Sequence, residues 1–428
     1  MRITSVFKRL LGADHTVIEK ICFDEQAGIL VAHVRPSRRA GRRCGRCGAR
    51  ASWYDRGEGR RRWRTLDLGA VQAFVEADAP RVACRRHGPT VIAVPWARHG
   101  AGHTRGFDDM VAWLAVHTSK TAVAQLMRIA WRTVGAIVAR VSADALAAAG
   151  DRLAGLRRIG IDELSYKKGH RYITCVVDHD TGRLVWAAPG RDKATLRTFF
   201  DALGPERCAQ ITHVSADAAD WITQVVTERC PDAVQAMDPF HVVAWATDAL
   251  DQVRRDVWNN SRGGRGGTGR ATARAKGIKN LRWVLWRNPQ DLSEAQAAKL
   301  DWIERTHPGL HRAWALKEGL RWVFTLARQD FPRLAITALD RWLSWARRSQ
   351  LPVFVDLARR IRKHRARIEA SLQHRLSNAL LESVNTKLRL ITRQAFGFHN
   401  PHALIGLAML ALGGLCPPLP GRQPITPK

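Results

Sequence analysis

Two short knuckles near the N-terminus constrain this chain more than any other feature. Cys44-Gly-Arg-Cys47 is a C-x2-C turn, and Cys84-Arg-Arg-His87 repeats the spacing with histidine in the last place. Between them runs a turn-rich, arginine-rich stretch from Trp53 to Trp63 with little apolar content from which to build a core. Three thiolates and an imidazole at this spacing suit a closed, tetrahedral zinc site, in which the metal supplies folding energy the segment lacks. One knuckle alone arises readily by chance; two bracketing one segment point to structural Zn2+ on Cys44, Cys47, Cys84 and His87. Cys175, Cys208 and Cys230 stand singly in or beside apolar runs and read as small buried hydrophobes. Met1 leads into mixed polar residues rather than a signal-peptide core. The expectation is a cytoplasmic, nucleoid-associated protein without a disulfide framework.

Charge narrows the partner. Lys and Arg number 69 against 38 Asp and Glu, a formal charge of +31 over 428 residues. A small-molecule enzyme needs no such excess, whereas a polyanion does, because neutralising phosphates releases counterions and steers association. With 46% apolar residues and 16 Trp the chain can still bury several cores. The basic residues cluster: residues 38–64 hold 11 basic and 2 acidic side chains, 254–287 hold 10 and 1, and 357–393 hold 10 and 2. The apolar stretch Leu404 to Leu415 is too short to cross a bilayer. Double-stranded DNA, not a membrane, is the expected partner.

Periodicity then divides the chain. Residues 17–35 read as two short strands leading into the zinc segment, giving an N-terminal zinc-binding, DNA-binding module over 1–100. Over 101–150 the pattern turns helical, and two short amphipathic helices separated by a break near Ile129-Ala130 resemble a helix-turn-helix. Its second helix starts near Trp131, Arg132 and Thr133, which such a motif would present to the major groove. A helical hairpin that only packs is the plainer alternative. From 155 to 240 the order is strand, hairpin, helix, strand, helix, strand, an α/β arrangement and that of a ribonuclease-H-like catalytic domain. Residues 241–367 are helical throughout and carry nine of the tryptophans, so they read as an all-helical insertion with a basic Gly/Arg loop at 261–277. The catalytic domain resumes over 368–415, and 416–428 form a flexible tail.

Three acids fall where an apolar element places them at an edge. Asp162 ends the strand RIGID, Asp217 ends THVSAD, and Glu382 lies on a helix over 377–393. Acids at the carboxyl ends of neighbouring strands converge where α/β sheets place ligands. On the helix, Leu380, Val384, Leu388 and Ile391 make an apolar face, while Asn378, Glu382, Asn385, Arg389 and Arg393 fall on or near the other. Clustered carboxylates without an obvious nucleophile suit Mg2+ or Mn2+, and two such ions about 4 Å apart can clamp the attacking and leaving oxygens of a phosphodiester displacement. Any one acid alone would say little, since Asp is common at strand ends and Glu on exposed helices. Asp178, Asp180 and Asp192 fit turns, and Glu163 alternates to the opposite face from Asp162. Asp238, in Asp238-Pro-Phe-His241, is expected to cap the next helix or to orient the metal-binding acids without touching the ions; His241, Asn378 and Asn385 are placed in the same supporting role.

GIDELSYKKGHRY, THVSADAADW, DPFHVV and LLESVNTKLRLITRQAFGFHN, in that order, together with CGRC and CRRHG, resemble the transposases of the ISL-three family of bacterial insertion sequences. The resemblance spans nearly the whole chain. It implies a DDE transposase with catalytic acids Asp162, Asp217 and Glu382, two Mg2+ or Mn2+ ions per site, and an all-helical insertion before the glutamate. Asp162 would bridge both ions. It further implies a homodimer or larger assembly that binds terminal inverted repeats and target DNA, with Lys387, Arg389 and Arg393 beside the scissile strand. Two readings compete with it: a non-catalytic DNA-binding regulator or transposase relic, and a structure-specific nuclease on the same fold.

Overall fold

The computed structural model describes Phe7, Leu11, Gly12, residues 14–261, Ile278, residues 281–374 and residues 379–422. Nearly all of the Gly/Arg loop, Asn378 and the end of the tail lie outside the described residues. The chain divides into two compact units, Met1–Gly150 with Leu390–Lys428, and Asp151–Arg389.

In the first unit, β1 (Thr16–Asp24), β2 (Ile29–Pro36), β4 (Arg60–Arg64) and β5 (Gln72–Asp78) form a sheet in the order β1-β2-β5-β4. Alternation along β5 buries Ala73, Val75 and Ala77 on one face. A second sheet joins three short strands, β3 (Ser52–Asp55), β6 (Arg81–Cys84) and β7 (Gly88–Val91), in the order β3-β6-β7. The core here is small: Trp63 meets Trp96 edge-on with ring centroids 5.6 Å apart, surrounded by Val34, Val75 and Ala97.

Three helices follow, α1 (Arg105–His117), α2 (Lys120–Met127) and α3 (Trp131–Ala148). The hydroxyls of Thr104 and Ser119 accept the backbone N–H of Phe107 and Ala122, which starts α1 and α2. Arg128, in the left-handed region at φ 52°, turns the chain between α2 and α3. The second helix of the pair runs 18 residues rather than being short. Its buried stripe Val134, Ile137, Val138 and Val141 continues at helical spacing, and the C-terminal helix Pro401–Leu412 packs along it. Asp108 of α1 is fully buried and is answered by Arg140 at 3.0 and 3.1 Å, the pairing that makes a buried charge tolerable.

The second unit is built on a five-stranded sheet of β8 (Arg158–Lys167), β9 (Arg171–Asp178), β10 (Leu184–Pro189), β11 (His213–Ala216) and β12 (Val234–Met237), ordered β10-β9-β8-β11-β12. β9 runs antiparallel to both of its neighbours, β8 and β10, whereas β8, β11 and β12 run parallel. Parallel neighbours need crossovers, and the helices α4 (Lys193–Leu203) and α5 (Asp220–Arg229) supply them. Ile159, Ile161, Phe199, Phe200, Val214 and Val225 share one core. Asp178 and Asp192 serve turns as their positions suggest: Asp178 accepts the Thr181 hydroxyl at 2.6 Å, and Asp192 caps α4.

From β12 the chain enters a helical block of α6 (Pro239–Ser261), α7 (Arg282–Trp286), α8 (Glu294–Thr306), α9 (Pro308–Arg328), α10 (Pro332–Arg347), α11 (Pro352–Lys363) and α12 (Arg365–His374). Proline opens α9, α10 and α11, where its missing N–H is not needed. The block has its own large core, with Leu316, Leu320, Val323, Leu339 and Phe354 fully buried. It leads to α13 (Ala379–Gln394), whose inward stripe is Leu381, Val384, Asn385, Leu388 and Ile391. This corrects the expected faces, which put Leu380 inward and Asn385 outward. Gly160 on β8 is the reason: a Cβ there would stand 2.5 Å from Leu381 Cδ1, so the glycine admits Leu381 and rotates Asn385 toward the sheet. Among the described residues, no single helix is long and apolar enough to cross a membrane.

Candidate active site and metal centre

The four knuckle residues meet in space. Cys44, Cys47, Cys84 and His87 place their donor atoms within 4.8 Å of one another. Cys47 Sγ lies 3.7 Å from Cys84 Sγ, while His87 Nδ1 lies 3.7 Å from Cys44 Sγ and 3.6 Å from Cys84 Sγ. Tetrahedral zinc with ordinary Zn–S and Zn–N bonds sets its ligand atoms about 3.8 Å apart for two sulfurs and about 3.6 Å apart for sulfur and nitrogen, so the donors fit that ion. Each knuckle is followed by a glycine at positive φ, Gly48 at 70° and Gly88 at 66°, where the turn reverses. The N–H groups of Arg86 and His87 point at the Cys84 sulfur and draw its thiol down to about 6, against burial. A thiolate is therefore ready at neutral pH.

The acids are set by register. Ile161 of β8 pairs with Ala216 of β11, and Ala216 pairs with Met237 of β12. Asp162, Asp217 and Asp238 each follow these partners, so three aspartates stand in one row, roughly 4.8 Å apart in backbone. Asp217 and Asp238 directly follow the ends of β11 and β12, but Asp162 does not end its strand as the sequence suggested, because β8 runs on to Lys167 against β9, with Asp162 opposite Cys175. Asp162 Oδ1 accepts the N–H of Glu163 at 2.7 Å, and its other oxygen accepts the Asn385 amide from α13. Asp217 Oδ1 accepts the Ala219 N–H at 2.8 Å. Asp238 caps as expected, accepting the N–H of Phe240 at 3.1 Å at the start of α6, and its other oxygen lies 2.9 Å from His241 Nδ1. Burial pushes the Asp162 carboxyl above the usual range and the Asp217 charge adds to this, opposed by its hydrogen bonds and by His241. The bond to Asp238 raises His241, and Asp217 and Asp162 raise it further.

Glu382 is exposed on α13. It precedes Asn385 by three residues, about 60° round the helix axis, so the helix whose amide touches Asp162 also carries this carboxylate. The acids are not gathered as tightly as the zinc donors: among the described residues, the only group of three or more ligating side chains within 4.8 Å is the cysteine and histidine set. A two-ion site spreads its ligands over ions about 4 Å apart, so each acid need only reach its own ion. Such hard oxygen donors, with a neutral amide to orient them, suit a divalent cation.

Of the other sequence candidates, Trp131 and Arg132 are exposed at the start of α3, and Thr133 is half-buried. One face of the Trp131 ring is taken by the Lys120 ammonium, 3.5 Å from its centroid. Lys387, Arg389 and Arg393 are exposed along α13. Sequence reasoning missed two residues beside the acids. Glu163, set aside as facing away, is buried and bonded to Arg191 at 2.9 Å, with its carboxyl pushed up to about 7 by burial and by Asp217. Arg367 of α12 donates to the Asp217 carbonyl oxygen at 2.8 Å. Arg367 carries no periodic or motif signal, and for Glu163 the alternation along β8 pointed away from the acids; the placement of both depends on which elements become neighbours.

Three family models cover these regions in order. The zinc-finger of transposases IS204/IS1001/IS1096/IS1165 matches residues 40–87, the helix-turn-helix domain of transposase family ISL3 matches 92–142, and the ISL3 DDE model described as Transposase matches 159–407. The chain belongs to the ISL3 family of DDE transposases: it is a DNA-binding enzyme that cleaves DNA and transfers strands with a divalent metal, and it carries a structural zinc finger. The transposase for insertion sequence element IS1557 of Mycobacterium tuberculosis, strains CDC 1551 / Oshkosh and ATCC 25618 / H37Rv, is 62% identical over 442 residues, covering 99% of this chain and 98% of the relative. The transposase for insertion sequence element IS1001 of Bordetella parapertussis is 27% identical over 387 residues, covering 90% of this chain and 92% of the relative.

Proposed function

We propose that Asp162, Asp217 and Glu382 are the catalytic acids of this transposase, holding two Mg2+ or Mn2+ ions, and that Cys44, Cys47, Cys84 and His87 hold the structural zinc. The observation that carries the first reading is the row at the sheet edge: the Ile161–Ala216 pairing sets Asp162 beside Asp217, and the helix bearing Glu382 reaches Asp162 through Asn385. The strand order β10-β9-β8-β11-β12, antiparallel on one side of β8 and parallel on the other, supports a ribonuclease-H-like catalytic domain interrupted by the helical block.

When bound, the divalent ions supply Lewis-acid stabilisation of the charge that builds on the attacking and leaving oxygens. The chain's own residues do the rest. Asp162 is held on two sides, by the Glu163 N–H and the Asn385 amide, so its carboxylate is aimed before metal arrives. Asp238 clamps His241, keeping an imidazole beside the acidic row. The exposed cations Lys387, Arg389 and Arg393 of α13 line the approach of a phosphate backbone. Trp131, Arg132 and Thr133 at the start of α3, with the zinc finger, are assigned to the terminal inverted repeats. Two ends are brought together by a homodimer or a larger assembly.

The test is cleavage of DNA carrying the element's own ends. Asp162→Asn and Glu382→Gln each lower Mg2+-dependent strand cleavage at least a thousandfold while end binding in a gel shift is retained. Mg2+-dependent nicking by both variants at the wild-type rate overturns the assignment.

A further inference from the structure

We infer that Arg367 is a positioning residue for the loop that carries Asp217, and that α12 is the strut through which the helical block holds that loop. The inference rests on the acid assignment above. Arg367 lies on the last helix of the block, 150 residues after Asp217, and donates from its terminal nitrogen to the Asp217 carbonyl oxygen at 2.8 Å. Its Nε is buried without a hydrogen-bond partner. A partly buried guanidinium on one neutral carbonyl is a poor packing choice: desolvating a cation is costly, and an apolar side chain would fill the space without that cost. The placement makes sense if the bond is needed where it falls.

It falls on the half-buried turn that follows β11. Asp217 leaves the sheet directly after β11, and its carboxylate folds back onto the Ala219 N–H at 2.8 Å. Pinning the carbonyl of the same residue fixes the backbone from which that carboxylate projects. The rest of α12 is fastened alongside. Ser371 donates its hydroxyl to the carbonyl of Met237 at the end of β12, and His374 Nδ1 lies 3.2 Å from His213 Nε2 at the start of β11. Arg367, Ser371 and His374 are spaced four and three apart, so one face of the helix is bonded along the two strands that flank Asp217. Asp220 is the other acid near this guanidinium, and it is itself paired with Lys363 of α11. The α12 bond thus holds the segment at Asp217, while the solvent-exposed Lys363–Asp220 pair at 3.4 Å adds little.

The experiment uses the full chain and reads metal binding apart from activity. Mn2+ binding is measured by calorimetry without DNA on wild type, Arg367→Ala, Arg367→Lys and Asp217→Asn, alongside cleavage against Mn2+ concentration, end binding and melting. Arg367→Ala weakens Mn2+ binding at least tenfold, raises the Mn2+ needed for half-maximal cleavage equally, regains most of its cleavage at saturating Mn2+, and leaves end binding unchanged. Arg367→Lys, which keeps a donor on a shorter stem, weakens Mn2+ binding about threefold without lowering the melting temperature, and stands as the test if the alanine variant does not fold. Wild-type Mn2+ affinity in either variant, or a cleavage defect that metal does not relieve, overturns the inference. Loss of end binding reassigns Arg367 to DNA. A wild-type protein that binds no more Mn2+ than Asp217→Asn instead overturns the acid assignment.

Discussion

The zinc finger and the sheet that carries the proposed catalytic acids solve the same problem, holding several candidate metal ligands in place, by opposite means. In the finger the ligands come as two local pairs on tight turns, and the neighbouring core is modest, built on Phe7, Trp63, Trp96, Val34 and Val75 with a few aliphatic side chains packed against it. The metal is part of the folding energy there. In the sheet the acids are far apart in sequence, Glu382 coming 165 positions after Asp217, and a large apolar core fixes the strands that present them. Local ligand spacing suffices where the metal does the folding. Distant ligands require a fold that stands without it.

The two regions should therefore part company when metal is removed, and this is the largest effect expected. Stripping zinc with a strong chelator, or Cys84→Ser, unfolds the segment between the knuckles and abolishes end binding. The second unit keeps its Mn2+ binding by calorimetry and its cooperative melting transition. Joint loss of both activities at the same zinc occupancy would break the contrast.

Acidity should move them in opposite directions. The Cys84 thiol is held at about 6 by neighbouring N–H groups. Its contribution to the finger is complete above the ordinary thiol value of about 8.5 and is gone once pH falls through about 6. Glu163 is shifted the other way, to about 7 by burial and nearby carboxylates. The folded state then keeps a proton that the unfolded chain has released, so the second unit loses stability as pH rises from the ordinary glutamate value of about 4.3 toward 7, by roughly 3 kcal/mol. Denaturant midpoints of the second unit measured across this window should fall with rising pH in wild type and fall less steeply in Glu163→Gln, where the raised Asp162 and His241 still titrate. A wild-type midpoint that rises would place Glu163 among stabilising ion pairs instead.

The smallest effect sharpens the comparison within the first unit. Ser119→Ala removes the hydroxyl that accepts the Ala122 N–H at the start of α2 and should cost about 1 kcal/mol. Because α2 is held by helix packing and not by zinc, the loss should be the same in zinc-loaded and zinc-stripped protein, read by helical circular dichroism on melting. A loss seen only with zinc bound would tie the helix pair to the finger.

What the sequence determined is what short-range chemistry encodes. The knuckle spacing marked Cys44, Cys47, Cys84 and His87 as candidate zinc donors, and acids closing short apolar runs named Asp162, Asp217 and Asp238 as candidates. These signals reach only a few residues along the chain, the range of a turn or a cap. Tertiary structure decided which strands became neighbours, and so that the three aspartates share one row. It also turned Asn385 inward because Gly160 admits Leu381, buried Glu163 against Arg191, and brought Arg367 to the Asp217 carbonyl. Each of these follows from packing between segments distant in sequence, where shape and burial select the partner and no local pattern records it.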